Sequence, residues 1–137
     1  MSTAWSRAGL TGFCGTCHDS PNVGNHSTSL PVNIGVTSEH PLGSLDVNGL
    51  PTYTFEQTST GRTITVTDPG RALVSGKFKD IGKTKGPNLR SLSARAPYFH
   101  NGSAKDLNAI VDFYDARFHI GFTAQEKNDL VTFLSAL

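Results

Sequence analysis

The residues best suited to chemistry are Cys14-Gly15-Thr16-Cys17-His18. Two thiols separated by two residues can each add across one vinyl group of a haem, and the histidine that follows is then held where its imidazole can ligate the iron. This is the spacing of c-type haem attachment. Two other readings use the same thiols. A redox dithiol needs a strand–helix–strand setting that the flanking sequence lacks, and half of a zinc site needs a second ligand pair. The chain has two cysteines in all. One covalent haem c on Cys14 and Cys17, with His18 as axial ligand, is therefore expected; a CxxC thiol oxidoreductase without haem is the alternative.

The elements that must position this group come from a modest chain. Its 137 residues suit one domain, 1–137, and with 36% hydrophobic residues, 14 glycines and seven prolines the core will be thin. A porphyrin would add apolar surface for short helices to pack on. A net charge of +1 argues against a nucleic-acid partner. No apolar run is long enough to span a membrane, and no secretion signal precedes Trp5. Haem c is attached outside the cytoplasmic membrane, so the expectation is a domain excised from a larger periplasmic or extracellular protein.

Residues 3–13 read as a short helix leading into the haem motif, and residues 19–40 as irregular loop. Residues 52–57 and 62–67 alternate apolar and polar side chains around Ser59-Thr60-Gly61, the pattern of a β-hairpin inserted at about 50–67. Asp68-Pro69-Gly70-Arg71 makes a turn and a short helix follows at 69–75. Ser103 is expected to cap a helix bearing Leu107, Ile110, Val111, Tyr114 and Phe118, closed by Gly121. Thr123-Ala124-Gln125-Glu126 is a capping box for a last helix whose Leu130, Val131, Phe133, Leu134 and Leu137 form one apolar stripe. The fold expected is all-α, a small cytochrome c-like haem domain carrying the hairpin as an insertion.

A ligating histidine usually donates its second ring N–H to a carbonyl or carboxylate. Lys85-Gly86-Pro87-Asn88-Leu89-Arg90 resembles the Gly-Pro-x-Leu segment of cytochromes c, in which the proline carbonyl takes that proton and the leucine packs on the porphyrin; an ordinary turn is the competing reading. On the distal side a methionine thioether is the common ligand. The only methionine here is Met1, which leaves a tyrosine, one of His26, His40, His100 and His119, or an open position.

Residues 85–137 resemble the C-terminal haem domain of the bacterial di-haem cytochrome c peroxidases and their relative MauG. The likeness is carried by Lys85–Arg90, by Ala96-Pro97-Tyr98-Phe99-His100-Asn101-Gly102-Ser103, by Leu107–Tyr114 and by Gly121-Phe122-Thr123 onward. Asn33-Ile34-Gly35-Val36 and Asp68-Pro69-Gly70-Arg71 match shorter family segments, and residues 40–66 are not covered. The resemblance implies that Tyr114 occupies the position of the peroxidases' distal methionine and, as in MauG, is the sixth ligand. A phenolate there would favour ferric iron and lower the potential. His100 is the alternative distal residue, although in the relatives it is not a ligand. Arg71 and Arg90 could bind haem propionates. Relatives hold calcium through carbonyls matching Arg95 and Pro97, but a further ligand comes from the other haem domain, so calcium is not expected here.

The function expected is single-electron transfer to a redox partner protein or a second haem domain. The alternative enzyme, a haem peroxidase with an open or displaceable sixth site, requires an acid–base group beside the iron, for which His100 is the one candidate.

Overall fold

The computed structural model describes residues 14–18 and 30–137; the helix expected at 3–13 and the first half of the loop expected at 19–40 lie outside these. The first described element, α1 (Cys14–Cys17), is a single turn, prolonged by the His18 N–H bonding the Cys14 carbonyl at 2.9 Å. Helical spacing puts positions i, i+3 and i+4 on one face, so Cys14, Cys17 and His18 present their side chains together.

β1 (Tyr53–Gln57) and β2 (Arg62–Val66) pair antiparallel with Tyr53 opposite Val66 and Gln57 opposite Arg62. One face carries the Phe55–Ile64 pair and the buried Val66; the other carries Thr54 and Thr65, whose hydroxyls meet at 2.9 Å. A hairpin alone is marginal in water, and this one is held at its base. The Thr67 N–H and hydroxyl both donate to the Thr37 carbonyl, at 2.8 and 3.2 Å.

Next come α2 (Ala72–Ser75), a single turn ended by Gly76 in the left-handed region, and 3-10 turns at Phe78–Asp80 and Leu92–Ala94. Two longer helices complete the chain, α3 (Leu107–Phe118) and α4 (Ala124–Ser135). The core lies beneath α3, where Leu92, Tyr98, Ala104, Leu107 and Ala109 are buried together, with Leu89, Phe99, Val131 and Leu134 packed around them.

The all-α expectation is overturned. A two-stranded sheet and four isolated bridges (Val32–Thr84, Ser38–Val66, Gly70–Lys83 and Tyr98–Ala104) stand beside only two helices longer than one turn among the described residues. Backbone groups outside helices and sheets need partners, and here short polar side chains supply several of them. Asn33, Asp46, Asp68, Asn88 and Asn101 each accept a hydrogen bond from the backbone N–H two residues on.

Helix boundaries also differ from expectation. Asp106, not Ser103, caps α3, accepting from the Ala109 N–H at 2.8 Å. Ser103 lies in the stretch that the Tyr98–Ala104 bridge holds out of helix, buried, its hydroxyl without a partner among the described residues. The helix ends at Phe118 with His119 left-handed, two residues before Gly121. The capping box of α4 is present as expected: Thr123 accepts from the Glu126 N–H while Glu126 accepts from the Thr123 N–H at 2.7 Å. Its apolar stripe, however, is only partly covered. Val131 and Leu134 reach the core, no residue of α4 is fully buried, and Phe133 is 52% exposed.

Candidate haem site

The His18 imidazole is half-buried on the helical turn and lies against the Pro87 carbonyl. Loss of water pushes its pKa down, and the Pro87 oxygen partly offsets this by favouring the proton. The neutral ring, the form that binds metals, is thus favoured near neutral pH. Its Nδ1 is buried without a hydrogen bond of full geometry to any described group. Cys14 and Cys17 are free thiols. Desolvation pushes the Cys14 thiol up, although part of the residue reaches solvent; its own backbone opposes this and Cys17 reinforces it.

Tyr114 is brought to this turn by α3. Burial is the main cause that pushes its phenol up to about 12, and Cys17 and Cys14 both add to it electrostatically, so the phenol and the CxxCH turn share one region. No hydrogen bond fixes the Tyr114 hydroxyl to a described residue, and the ring is held instead by aromatic neighbours. Phe113 meets it edge-on with centroids 5.5 Å apart, Phe118 stacks on it at 5.9 Å, and Phe99 lies tilted at 6.3 Å. Phe113 is wholly buried and touches Phe99 edge-on as well. An apolar wall is thereby built around one polar atom.

The loop carrying Pro87 and Leu89 is shaped by a residue that spacing alone did not single out. The Arg95 guanidinium donates to the carbonyls of both Asn88 (2.6 Å) and Arg90, while Asn88 accepts from the Arg90 N–H at 2.8 Å. Leu89 packs against the core cluster. Of the arginines expected near propionates, Arg90 is exposed and Arg71 forms an ion pair with Asp80 at 3.6 Å.

Among the described residues, no hydrogen bond or ion pair joins His100 to this group. Its Nδ1 pairs with the buried Asp68 carboxylate, and 63% of its side chain is in solvent. Asp68 also accepts from the Gly70 N–H at 2.7 Å. The neighbouring Asn101 donates to the Val36 carbonyl (3.1 Å) and the Thr67 hydroxyl (3.0 Å). Three short motifs distant in sequence, 33–36, 68–71 and 100–103, therefore meet in one polar node that braces the fold. His40 and His119 are exposed, and His26 lies outside the described residues.

These groups fit a covalently held haem. Two free thiols and an imidazole share one helical face; among the described residues that imidazole has a buried nitrogen without a full hydrogen bond, facing a carbonyl, and the nearby phenol in its aromatic wall has no hydrogen-bond partner. Among the described residues no group of three or more His, Cys, Asp or Glu forms an all-protein metal site.

No protein-family model matches the chain. It is 31% identical over 92% of its length to cytochrome-c peroxidase IdrP2 of Denitromonas iodatirespirans, and 33% identical over 90% to IdrP1 of the same organism. Cytochrome c peroxidase Ccp of Escherichia coli matches 54% of the chain at 34% identity. The chain spans 36% of the length of the two Denitromonas relatives, about a third. In fold it is similar to a MauG-like protein associated with microbial copper homeostasis, with a TM-score of 0.59 and 22% identity over 90% of this chain and 39% of the other. Relatives of one kind matching nine-tenths of the chain, and a fold shared with a MauG-like protein, identify it as a domain of the di-haem cytochrome c peroxidase/MauG family.

Proposed function

We propose that this chain is the C-terminal, electron-transferring haem domain of such a protein, with one haem c bound through Cys14 and Cys17, His18 as proximal ligand and Tyr114 as distal ligand. The observation that carries this reading is the nearness of the Tyr114 phenol to both cysteines of the CxxCH turn. The haem supplies a one-electron ferric/ferrous couple when bound. His18 would bind through Nε2, and the Pro87 carbonyl, against which its ring lies, would take the Nδ1 proton and fix the tautomer. Leu89 and the aromatic wall of Phe99, Phe113 and Phe118 exclude water. Tyr114 would supply a phenolate, a hard anionic donor that lowers the potential relative to a thioether. Arg90 and Arg71 are the arginines proposed to meet haem carboxylates, Arg71 already being paired with Asp80.

Two observations weigh against the alternatives. A redox dithiol depends on a lowered thiol pKa, and the Cys14 thiol is pushed up instead. A peroxidase site requires an acid–base group beside the iron, and His100 is engaged by Asp68. Haem c attachment further implies a periplasmic or extracellular home; no helix among the described residues is long and apolar enough to cross a membrane.

The test is spectroscopic. Produced alongside haem c maturation machinery, the protein should show a pyridine haemochrome of c type and a six-coordinate ferric spectrum. Tyr114→Phe should change the ferric absorption and EPR signals and raise the potential, and His100→Ala should leave them unchanged. A colourless product would overturn the haem reading, and a spectrum altered only by His100→Ala would overturn the tyrosine ligand.

A further inference from the structure

The charges of this chain are segregated. Residues 69–95 hold seven of its 12 lysines and arginines but one of its 11 acidic residues, a net +6 against −5 for all the rest. Much of that charge sits on a closed loop. At its neck Gly70 pairs with Lys83, the Arg71 N–H bonds the Lys83 carbonyl at 2.8 Å, and the Gly82 N–H bonds the Pro69 carbonyl at 3.0 Å. Its single carboxylate, Asp80, is buried and already consumed by Lys83 (3.1 Å) and Arg71 (3.6 Å). Lys77 and Lys79 are exposed and pair with no carboxylate among the described residues, and Lys85 is exposed just beyond the neck.

The same loop displays apolar side chains that the core does not use. On the one-turn α2, Leu73 is 73% and Val74 90% exposed. Two bare aliphatic residues amid unpaired lysines have the make-up of a protein docking surface, an apolar centre with a charged rim. Compact loops with closed ends are frequent sites of function. The chain runs directly from this loop through Lys85 to Pro87, whose carbonyl faces His18.

We propose that the loop 70–83, with Lys85, is a docking surface for an electron-carrier protein whose own docking face is acidic around an apolar centre. The partner's carboxylates would meet Lys77, Lys79 and Lys85, steering its approach, while Leu73 and Val74 are covered on contact. This rests on the electron-transfer reading above, and the experiment separates the two.

A suitable probe is reduced plant-type [2Fe–2S] ferredoxin, a small acidic protein of low potential, about −400 mV. Its oxidation by the haem-loaded domain is followed by stopped flow at about 10 mM and about 500 mM ionic strength. The wild-type second-order rate constant should fall steeply with salt, because the Debye length shrinks from about 30 Å toward a few ångströms. Lys77→Glu/Lys79→Glu should lower it at least ~10-fold at low salt and only slightly at high salt. Leu73→Ser/Val74→Ser should lower it several-fold at both. Reduction by lumiflavin, a small neutral donor, should stay as in the wild type for every variant, reporting intact haem and fold. A charge variant with wild-type rate and salt dependence would overturn the docking surface while leaving the haem reading intact. An effect of the charge pair with none from the aliphatic pair would overturn the apolar centre. Absence of haem bands would instead overturn the reading on which the proposal stands.

Discussion

α3 and α4 have equal length, twelve residues each, and each begins at a side chain that accepts from its own first turn, Asp106 in one and Thr123 in the other. Their fates differ. α3 buries Leu107, Ala109, Val111 and Phe113, whereas no position of α4 is fully buried. The reason is what lies on either side. α3 packs against the buried side chains of Leu92, Tyr98 and Ala104 and against α4, and holds Tyr114 within an aromatic wall. α4 covers α3 from outside, through Val131 and Leu134 and through Lys127, which reaches Asp112 at 2.7 Å and Asp115 at 2.9 Å. An amphipathic stripe with a good cap specifies a helix, but depth is decided by the neighbours.

The sharpest way to break this comparison is to truncate one phenylalanine in each helix. Phe113→Ala should cost about 3–5 kcal/mol, since the site is enclosed and cannot collapse, while Phe133→Ala should cost less than about 1 kcal/mol. Urea denaturation measures both, and equal losses would mean that α4 is as deeply placed as α3. Caps act locally, so they should ignore the difference in depth. Asp106→Ala and Thr123→Ala should each cost about 1 kcal/mol by the same measurement, and a disparity above about twofold would tie the cap to the core.

The smallest effect should come from the polar link between the helices. Hydrogen bonding to Lys127 is the first cause that holds the Asp112 carboxyl low; for Asp115, burial pushes up but Lys127 and the Phe122 and Gly121 amides outweigh it. Asp112, then Asp115, push Lys127 up. Depressed carboxylates contribute stability above their unfolded value, about 3.9, and lose it as pH falls through the lower folded value. The raised lysine contributes below its unfolded value, about 10.4, and loses its share as pH rises through the higher folded one. Lys127→Met should therefore cost up to about 1 kcal/mol at pH 7, and the two proteins should converge in stability in strong acid. A gap that persists at low pH would mean that the lysine acts by packing.

What could be read from the sequence was mostly what is encoded locally. The CxxCH turn, the hairpin at 53–66 and the box from Thr123 to Glu126 each depend on residues a few positions apart. The cap of α3 did not follow that rule. Ser103 and Asp106 are both good caps, and the choice was made by the bridge between Tyr98 and Ala104, a pairing that spacing does not reveal. The all-α expectation failed for a related reason. Residues 30–52 and 67–104 bond their backbone through Asx turns and single bridges, which have no periodicity to detect. The role of the Arg95 side chain was not legible because its partners are carbonyls, and every residue has one. Pro87, by contrast, was singled out only through the resemblance, not through spacing.

One methyl group would undo the neck of the charged loop. A Cβ on Gly70, where φ is 56°, would stand 2.4 Å from the Lys83 carbonyl oxygen, closer than atoms approach, whereas the exposed tip at Leu73 and Val74 is bounded by solvent. The constraint thus falls on the neck, and the exposed residues at the tip are free to vary in size or sign. On the docking proposed above, such a tip could be altered to suit a different carrier, over evolutionary time or in the hands of an engineer, without disturbing the CxxCH turn.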